Sequence, residues 1–302
     1  HNQSRRQRQM CIRDRLMPGD MGHGIAKVLV ENNFKVLTFL KGRSKRTLKL
    51  ANEARVINID NFENFLKEVD IIFSIIPPEK AFQQAKFVAS FSSHIQKKIT
   101  YVDCNAISPN TCLKIEKLFN NKHFEFLDGG IVGLNPIVEK GKTRLYISGK
   151  NTSKLEILNN KGIIVKSLGS EVGKASAFKM IYASATKGTF ALHAATITAA
   201  SKSKLFDEYV KELEFSKPEI LKAMKNMTPK IPLDASRWEG EMYEIAKTFK
   251  TLNLTPKFHE GAADIMKLAQ KTPISNETRQ TYNESRTFEE AVNMFVKASK
   301  KN

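Results

Sequence analysis

The feature that most constrains this chain is a strict alternation over its first half. The runs "FKVLTFL" (34–40), "VDIIFSII" (69–76) and "ITYVDC" (99–104) are apolar and rich in β-branched and aromatic residues. They read as buried strands. Between them lie the amphipathic stretches "GHGIAKVLVENN", "SKRTLKLANEA" and "EKAFQQAKFVASF". Strands and helices alternating at this spacing predict βαβ units and a parallel sheet. Further strands are expected near 124–129 ("FEFLDGG") and 144–149 ("RLYISG"), with "GIIVKSLG" (162–169) as the last.

The pattern changes after Gly173. Residues 174–200, "KASAFKMIYASATKGTFALHAATITAA", contain no proline and one glycine and are rich in alanine, so they read as one long helix. The remainder reads as helical, with breaks near Pro218, Pro229–Pro232, Pro256 and Pro273. The expected architecture is therefore an α/β domain over 16–170 and an all-helical domain over 171–302. A length of 302 residues suits two domains. Residues 1–15, "HNQSRRQRQMCIRDR", hold five arginines and little apolar periodicity. They are expected to be a non-native or disordered extension, which leaves poor material around Cys11 to Met17 for the first strand.

Composition excludes several classes. At 41% hydrophobic residues the chain can bury a sizeable core. No apolar run reaches the roughly 18 residues of a membrane span. Cys11, Cys104 and Cys112 form no CxxC pair and fit reduced thiols in a cytosol. Six scattered histidines with no HxxxH pair offer no metal site. The formal charge of +18 is spread over the whole chain without aromatic interleaving, which reads as a lysine-rich surface and not as a nucleic-acid interface. A few of these bases would meet an anionic ligand.

One such ligand is indicated at residues 17–22, Met17-Pro18-Gly19-Asp20-Met21-Gly22. Aligned on G-x-G-x-x-G, the second and third glycines, Gly19 and Gly22, are present, while Met17 replaces the first. These glycines let the backbone approach a pyrophosphate and pack the following helix, whose N-terminus attracts phosphate. About twenty residues further on, where a dinucleotide's ribose is read, stand Arg43, Ser44, Lys45 and Arg46 in place of an acidic residue. Arginine pairs bidentately with phosphate, so NADP is expected over NAD. A solvated basic loop is the alternative.

With these motifs in hand, the chain resembles the β-hydroxyacid dehydrogenase family, which includes 6-phosphogluconate and 3-hydroxyisobutyrate dehydrogenases. The glycine turn with Met21, "VDIIFSIIPP", "DCNAISPN", "FLDGGIVG" and "VGKASAFKM" follow the family's order and cover nearly all the chain after residue 16. "SATKG" and "RWEGEMYEIAKTF" resemble the branch with a divergent phosphogluconate-dehydrogenase-like helical domain. The resemblance implies a Rossmann-type doubly wound sheet, a homodimer and NAD(P)-linked oxidation of a hydroxyl in a small hydroxy acid, or the reverse. It implies cofactor contacts at Gly19, Asp20, Met21, Gly22, Arg43, Ser44, Lys45, Ile76, Pro77 and Asn105.

By position the family's acid/base lysine is Lys179. Hydride leaves carbon as the oxygen loses its proton, so a base must lie within hydrogen-bond reach. Such a lysine works near neutral pH when burial or neighbouring cations favour its neutral form; Lys174 and Lys187 lie on the same helix. Substrate contacts are implied at Ser108, Gly129, Gly130, Val132 and Gly133. Successive N–H groups at Gly129–Gly133 would form an anion nest.

The chain departs from the family at several of these places. Asn105 and Ala106 stand for a serine and threonine, and Val132 for the serine that touches the substrate carboxylate. Tyr182 and Ala183 occupy the positions of an asparagine that follows the lysine. Tyr182 would supply a hydroxyl instead, and Arg237 would pair with a substrate anion. Glu241 and Glu244 read as a solvated helix face, and His259 as a structural histidine. A larger or less acidic carbonyl substrate fits these changes. A cofactor-binding sensor without turnover and a nucleic-acid-binding protein are the rival classes.

Overall fold

The computed structural model describes residues 15–16 and 20–300. The chain forms two compact units, residues 1–179 and 180–302. The boundary falls beyond the expected one near 170.

In the first unit, strands β1 (Arg15–Leu16) and β2 (Leu37–Thr38) flank helix α1 (Asp20–Glu31). Helix α2 (Lys45–Glu53), strand β3 (Ile57–Asn58) and helix α3 (Phe62–Glu68) follow. Then come β4 (Ile71–Ile75), α4 (Pro78–Ala89), β5 (Ile99–Asp103), α5 (Pro109–Glu116) and β6 (Phe124–Val132). Strands β7 (Arg144–Ser148) and β8 (Ile164–Ser167) complete the sheet.

The hydrogen-bonded order is β1-β4-β5-β6-β7-β8, with β2-β3 as a separate parallel pair. The expected single sheet is thus divided. The two described residues of β1 pair with Ser74 and Ile75 of β4. β3, which carries a single buried-type apolar residue and is exposed, has no strong strand pattern in the sequence. β7 runs antiparallel to β6, because the short connection 133–143 allows a hairpin but not a crossover.

Side-chain alternation along the strands makes three layers. Phe73, Val102, Leu127 and Ile147 face Ile25, Ala26 and Leu29 of α1 and Leu155 and Leu158. Ile72, Tyr101, Ile99 and Phe126 face Phe65 of α3, Ala81 and Ala85 of α4, and Cys112 and Ile115 of α5. The C-terminal ends of β4, β5 and β6 therefore share one edge, where open α/β sheets bind ligands.

The second half is helical, as expected, though not as one rod. Helix α6 (Lys174–Ala183) passes into a π turn over Ser184–Gly188 and then into α7 (Thr189–Lys202). Thr186 and Thr189 hydroxyls donate to the carbonyls of Tyr182 and Ala185, which competes with the regular ladder. Helices α8 (Phe206–Ser216), α9 (Pro218–Met227), α10 (Ile231–Thr251), α11 (Lys257–Gln270) and α12 (Phe288–Ala298) complete the unit. The prolines mark helix starts: Pro218 opens α9, Pro232 sits in the first turn of α10, and Pro256 precedes α11. Among the described residues no helix is long and apolar enough to cross a membrane.

Candidate functional site

Asp103 ends β5 and is 1% exposed. Its Oδ1 accepts from the Asn105 backbone N–H at 2.9 Å and its Oδ2 from Asn105 Nδ2 at 3.0 Å. The same amide donates to Ser74 Oγ at 2.9 Å, and its oxygen accepts from Ile76 N–H at 2.7 Å. Asn105 thus ties the end of β4 to the end of β5, and both halves of its amide are engaged within the protein. Burial pushes the Asp103 carboxyl up to about 7, with Asp128 adding to the rise, while Asn105 and Lys179 oppose it.

Asp128, in register with Asp103, is fully buried. It accepts from Ser148 Oγ (3.0 Å), Gly173 N (3.0 Å), Ser176 N (2.9 Å) and Ser176 Oγ (2.6 Å). These bonds pin the first turn of α6 to β6. Two glycines then allow a closer approach. A Cβ on Gly129 would lie 2.7 Å from Cys104 Sγ and 2.9 Å from the Asp103 carbonyl oxygen. A Cβ on Gly130 would lie 2.8 Å from the Ala175 carbonyl oxygen and 3.1 Å from Lys179 Cβ. Only a bare backbone fits between these neighbours. Lys179, half-buried and seated on Gly130, donates from Nζ to the Cys104 carbonyl at 3.1 Å. The packing of Ala175 and Lys179 on β6 is why this part of α6 belongs to the first unit.

The expected anion nest does not form. Gly129 to Val132 are extended and paired with β7, so successive N–H groups point to opposite sides. Gly133, with φ +111°, is the turn residue that follows. Val132 is buried. Ser108 is a buried N-cap, accepting from Thr111 N–H at 3.3 Å, so its hydroxyl serves α5. Cys112 lies in the same core, where burial, with Asp128 and Asp103 nearby, pushes its thiol up and keeps it protonated.

Of the expected cofactor contacts, Gly19 lies outside the described residues, as do Met17 and Cys11. Asp20 opens α1, with Met21 and the buried Gly22 in its first turn. Pro77 precedes α4. Arg43 is half-buried and Lys45 and Arg46 are exposed, in the segment after β2. Ser44 caps α2, accepting from Thr47 N–H at 3.2 Å. Ile76, Asn105, Gly129, Gly130 and Lys179 therefore gather around Asp103 and Cys104, while the basic segment stands at the end of another strand.

In the helical unit, Tyr182 is exposed. Arg237 pairs along its own helix with Asp234 (2.9 Å) and Glu241 (2.5 Å). Although burial opposes it, Glu241 and Asp234 hold the guanidinium firmly charged. Glu241 also pairs with Lys187, whose Nζ lies 5.5 Å from the centre of the Trp238 ring. The expectation of a solvated face at Glu241 and Glu244 is overturned: both are buried, because Lys187 and Arg237 neutralise the first and Lys247 the second. His259 is buried against Phe249, with Nε2 2.8 Å from Ser184 Oγ.

Asp103 and Asp128 fall within the quoted motifs "DCNAISPN" and "FLDGGIVG", but the sequence assigned neither a role at the site. Their signal is a carboxylate within a largely apolar strand, Asp103 at the end of β5 and Asp128 beside it in register on β6.

Residues 18–169 match the NAD binding domain of 6-phosphogluconate dehydrogenase, and residues 200–269 match a domain of unknown function (DUF1932). An uncharacterized 28.5 kDa protein from the 7S RNA 5′ region of Methanothermus fervidus is 31% identical over 243 residues, 79% of this chain and 92% of that protein. A conserved protein described as structurally similar to 3-hydroxyacid dehydrogenases is 26% identical, with TM-score 0.63 over 86% of this chain and 97% of its own. The fold is shared with 3-hydroxyisobutyrate dehydrogenase of Mycobacterium tuberculosis, 13% identical, with TM-score 0.67 over 94% of this chain and 98% of that one. The chain belongs to the β-hydroxyacid dehydrogenase family, in the branch that joins the NAD binding domain of 6-phosphogluconate dehydrogenase to the DUF1932 helical domain.

Proposed function

We propose that this protein is an NADP-dependent oxidoreductase acting on the CH–OH group of a small hydroxy acid or a related carbonyl compound, with Lys179 as general acid/base. The observation that carries this reading is the seat of Lys179. Its Cβ is 3.1 Å from where a Gly130 side chain would begin, and its Nζ is directed by the Cys104 carbonyl at the ligand-binding edge of the sheet.

The N-terminus of α1 would hold the pyrophosphate, and Arg43, Lys45 and Arg46 would meet a 2′-phosphate. A bound nicotinamide supplies or accepts the hydride. Lys179 takes the hydroxyl proton during oxidation and returns it during reduction. The Cys104 carbonyl keeps Nζ at the sheet edge between turnovers. With Val132 buried and Asn105 engaged by Ile76 and Asp103, neither reproduces the family's serine contacts, which favours a substrate less acidic than a β-hydroxy acid.

Lys179→Ala should lower turnover by about 10²–10⁴-fold, the usual contribution of positioned proton transfer. NADP affinity should change little. Lys179→Arg should rescue poorly, since a guanidinium does not release its proton near neutral pH. A screen of hydroxy acids and carbonyl compounds with NADPH supplies the substrate. Near-normal turnover in Lys179→Ala would overturn the assignment.

The apolar Val132 and Ala183 at family polar positions favour a second reading, a cofactor-binding sensor. Tight NADP binding with no turnover across the whole screen would support it.

A further inference from the structure

Asp103 is a buried carboxyl that the proton-transfer scheme above leaves without a task. We propose that Asp103 is a positioning residue that sets how readily Lys179 holds its proton, acting through space one residue away from the Cys104 carbonyl to which the amine donates. The inference rests on Lys179 being the acid/base.

The geometry separates the two groups while leaving them in each other's field. Lys179 Nζ donates to the carbonyl of Cys104, the residue next to Asp103. Both Asp103 oxygens accept from Asn105, so no proton passes directly between carboxyl and amine. Among the described residues, three titratable groups bear on this pair. Lys179 on α6 favours the carboxylate, Asp128 on β6 disfavours it, and Cys112 on α5 is a protonated thiol. Asp128 is enclosed by four donors at the turn of α6, whereas Asp103 has Lys179 among the groups that favour its charge. Burial and Asp128 make that charge costly, and Lys179 is the cation that offsets it. An ammonium at Lys179 therefore stabilises the carboxylate, and a carboxylate stabilises the ammonium. As the amine gains the substrate's proton, its new charge eases ionisation of the Asp103 carboxyl, whose two oxygens Asn105 holds in place.

The test needs no substrate. Lysines are reductively methylated with ¹³C-formaldehyde, the Lys179 resonance is identified by its loss in Lys179→Arg, and its shift is followed against pH. Asp103→Asn should move the Lys179 midpoint down by about one pH unit, as expected for loss of a nearby opposite charge. An unchanged midpoint overturns the proposal. Should Asp103→Asn fail to fold, because it sets an amide against the Asn105 amide, the wild-type curve decides. A second inflection near pH 7 in the Lys179 resonance supports coupling, and a single-step curve overturns it. Once a substrate is known, the limb of the kcat/KM profile governed by Lys179 should move by the same amount in Asp103→Asn. A packing role would lower kcat/KM at every pH without moving the limb. The outcome is separate from the fate of the catalytic reading, which Lys179→Ala decides by turnover.

Discussion

Gly130 shows how a residue without a side chain positions one that has chemistry. An added methyl would meet the Ala175 carbonyl at 2.8 Å, a backbone atom that Asp128 and Ser176 hold in place. Gly130→Ala should therefore cost about 1–3 kcal/mol as overpacking, and it should lower turnover at least tenfold by tilting Lys179 off the Cys104 carbonyl. Thermal melting and turnover together check this; full activity with normal stability would show that the seat is not needed. A second expectation concerns Arg43. Loss of a charge-assisted pair to a 2′-phosphate should weaken NADP binding at least tenfold, about 1.5–3 kcal/mol, in Arg43→Ala. Equal NADP affinity in mutant and parent would remove the NADP assignment. At this scale the sequence is partly transparent. "DGG" marks a close approach, but nothing in its spelling says that the neighbours are Cys104 on one side and Lys179 on the other. Asn105 misleads more: its place in a family loop points outward to a ligand, while its amide is turned in to join Ser74, Ile76 and Asp103.

Elements were more legible than residues. The apolar runs over 69–76 and 99–104 became β4 and β5 with bounds shifted by at most two positions, because strands buried on both faces have no polar alternative. "FKVLTFL" shrank to Leu37–Thr38, since its neighbour β3 is itself two residues long. The helix over 174–200 was visible as a whole, but its π turn was not. Besides the Thr186 and Thr189 back-bonds, that turn carries long-range contacts, Ser184 to His259 and Lys187 to Glu241, which local composition does not encode. The Lys187–Glu241–Arg237 cluster leads to a prediction at this scale. Glu241→Gln leaves two cations without their shared buried partner and should destabilise the helical unit by about 3–5 kcal/mol. Replacing Lys187 by Met and Glu241 by Leu together should cost much less, because Arg237 keeps Asp234 and reaches solvent. Equal losses in the single and double variants by urea denaturation would contradict this account.

For the whole molecule, two buried groups give the two units opposite responses to pH. Asp103 in the first unit sits near 7 against an ordinary 3.8, raised by burial. Between those values the folded form binds more protons than the unfolded form, so this contribution falls as pH rises from about 4 to 7. His259 in the second unit is lowered by burial from 6.5. Its unfolded form protonates first, so stability is lost as pH drops below 6.5. Moving from pH 8 to pH 5 should therefore favour the α/β unit and penalise the helical one. His259→Gln should flatten the acid loss, and an unaltered slope in that variant would assign it to other groups. The packing of Gly129 on Cys104 carries a further consequence. Cys104 and Cys112 are shut inside the sheet layers and form no disulfide. With Cys11 changed to serine, alkylation of these sulfurs can proceed only when the α/β unit opens, so its rate becomes a chemical clock for breathing at the sheet edge. A ligand seated beside Lys179 should slow that clock, and this would report occupancy before any substrate has been identified.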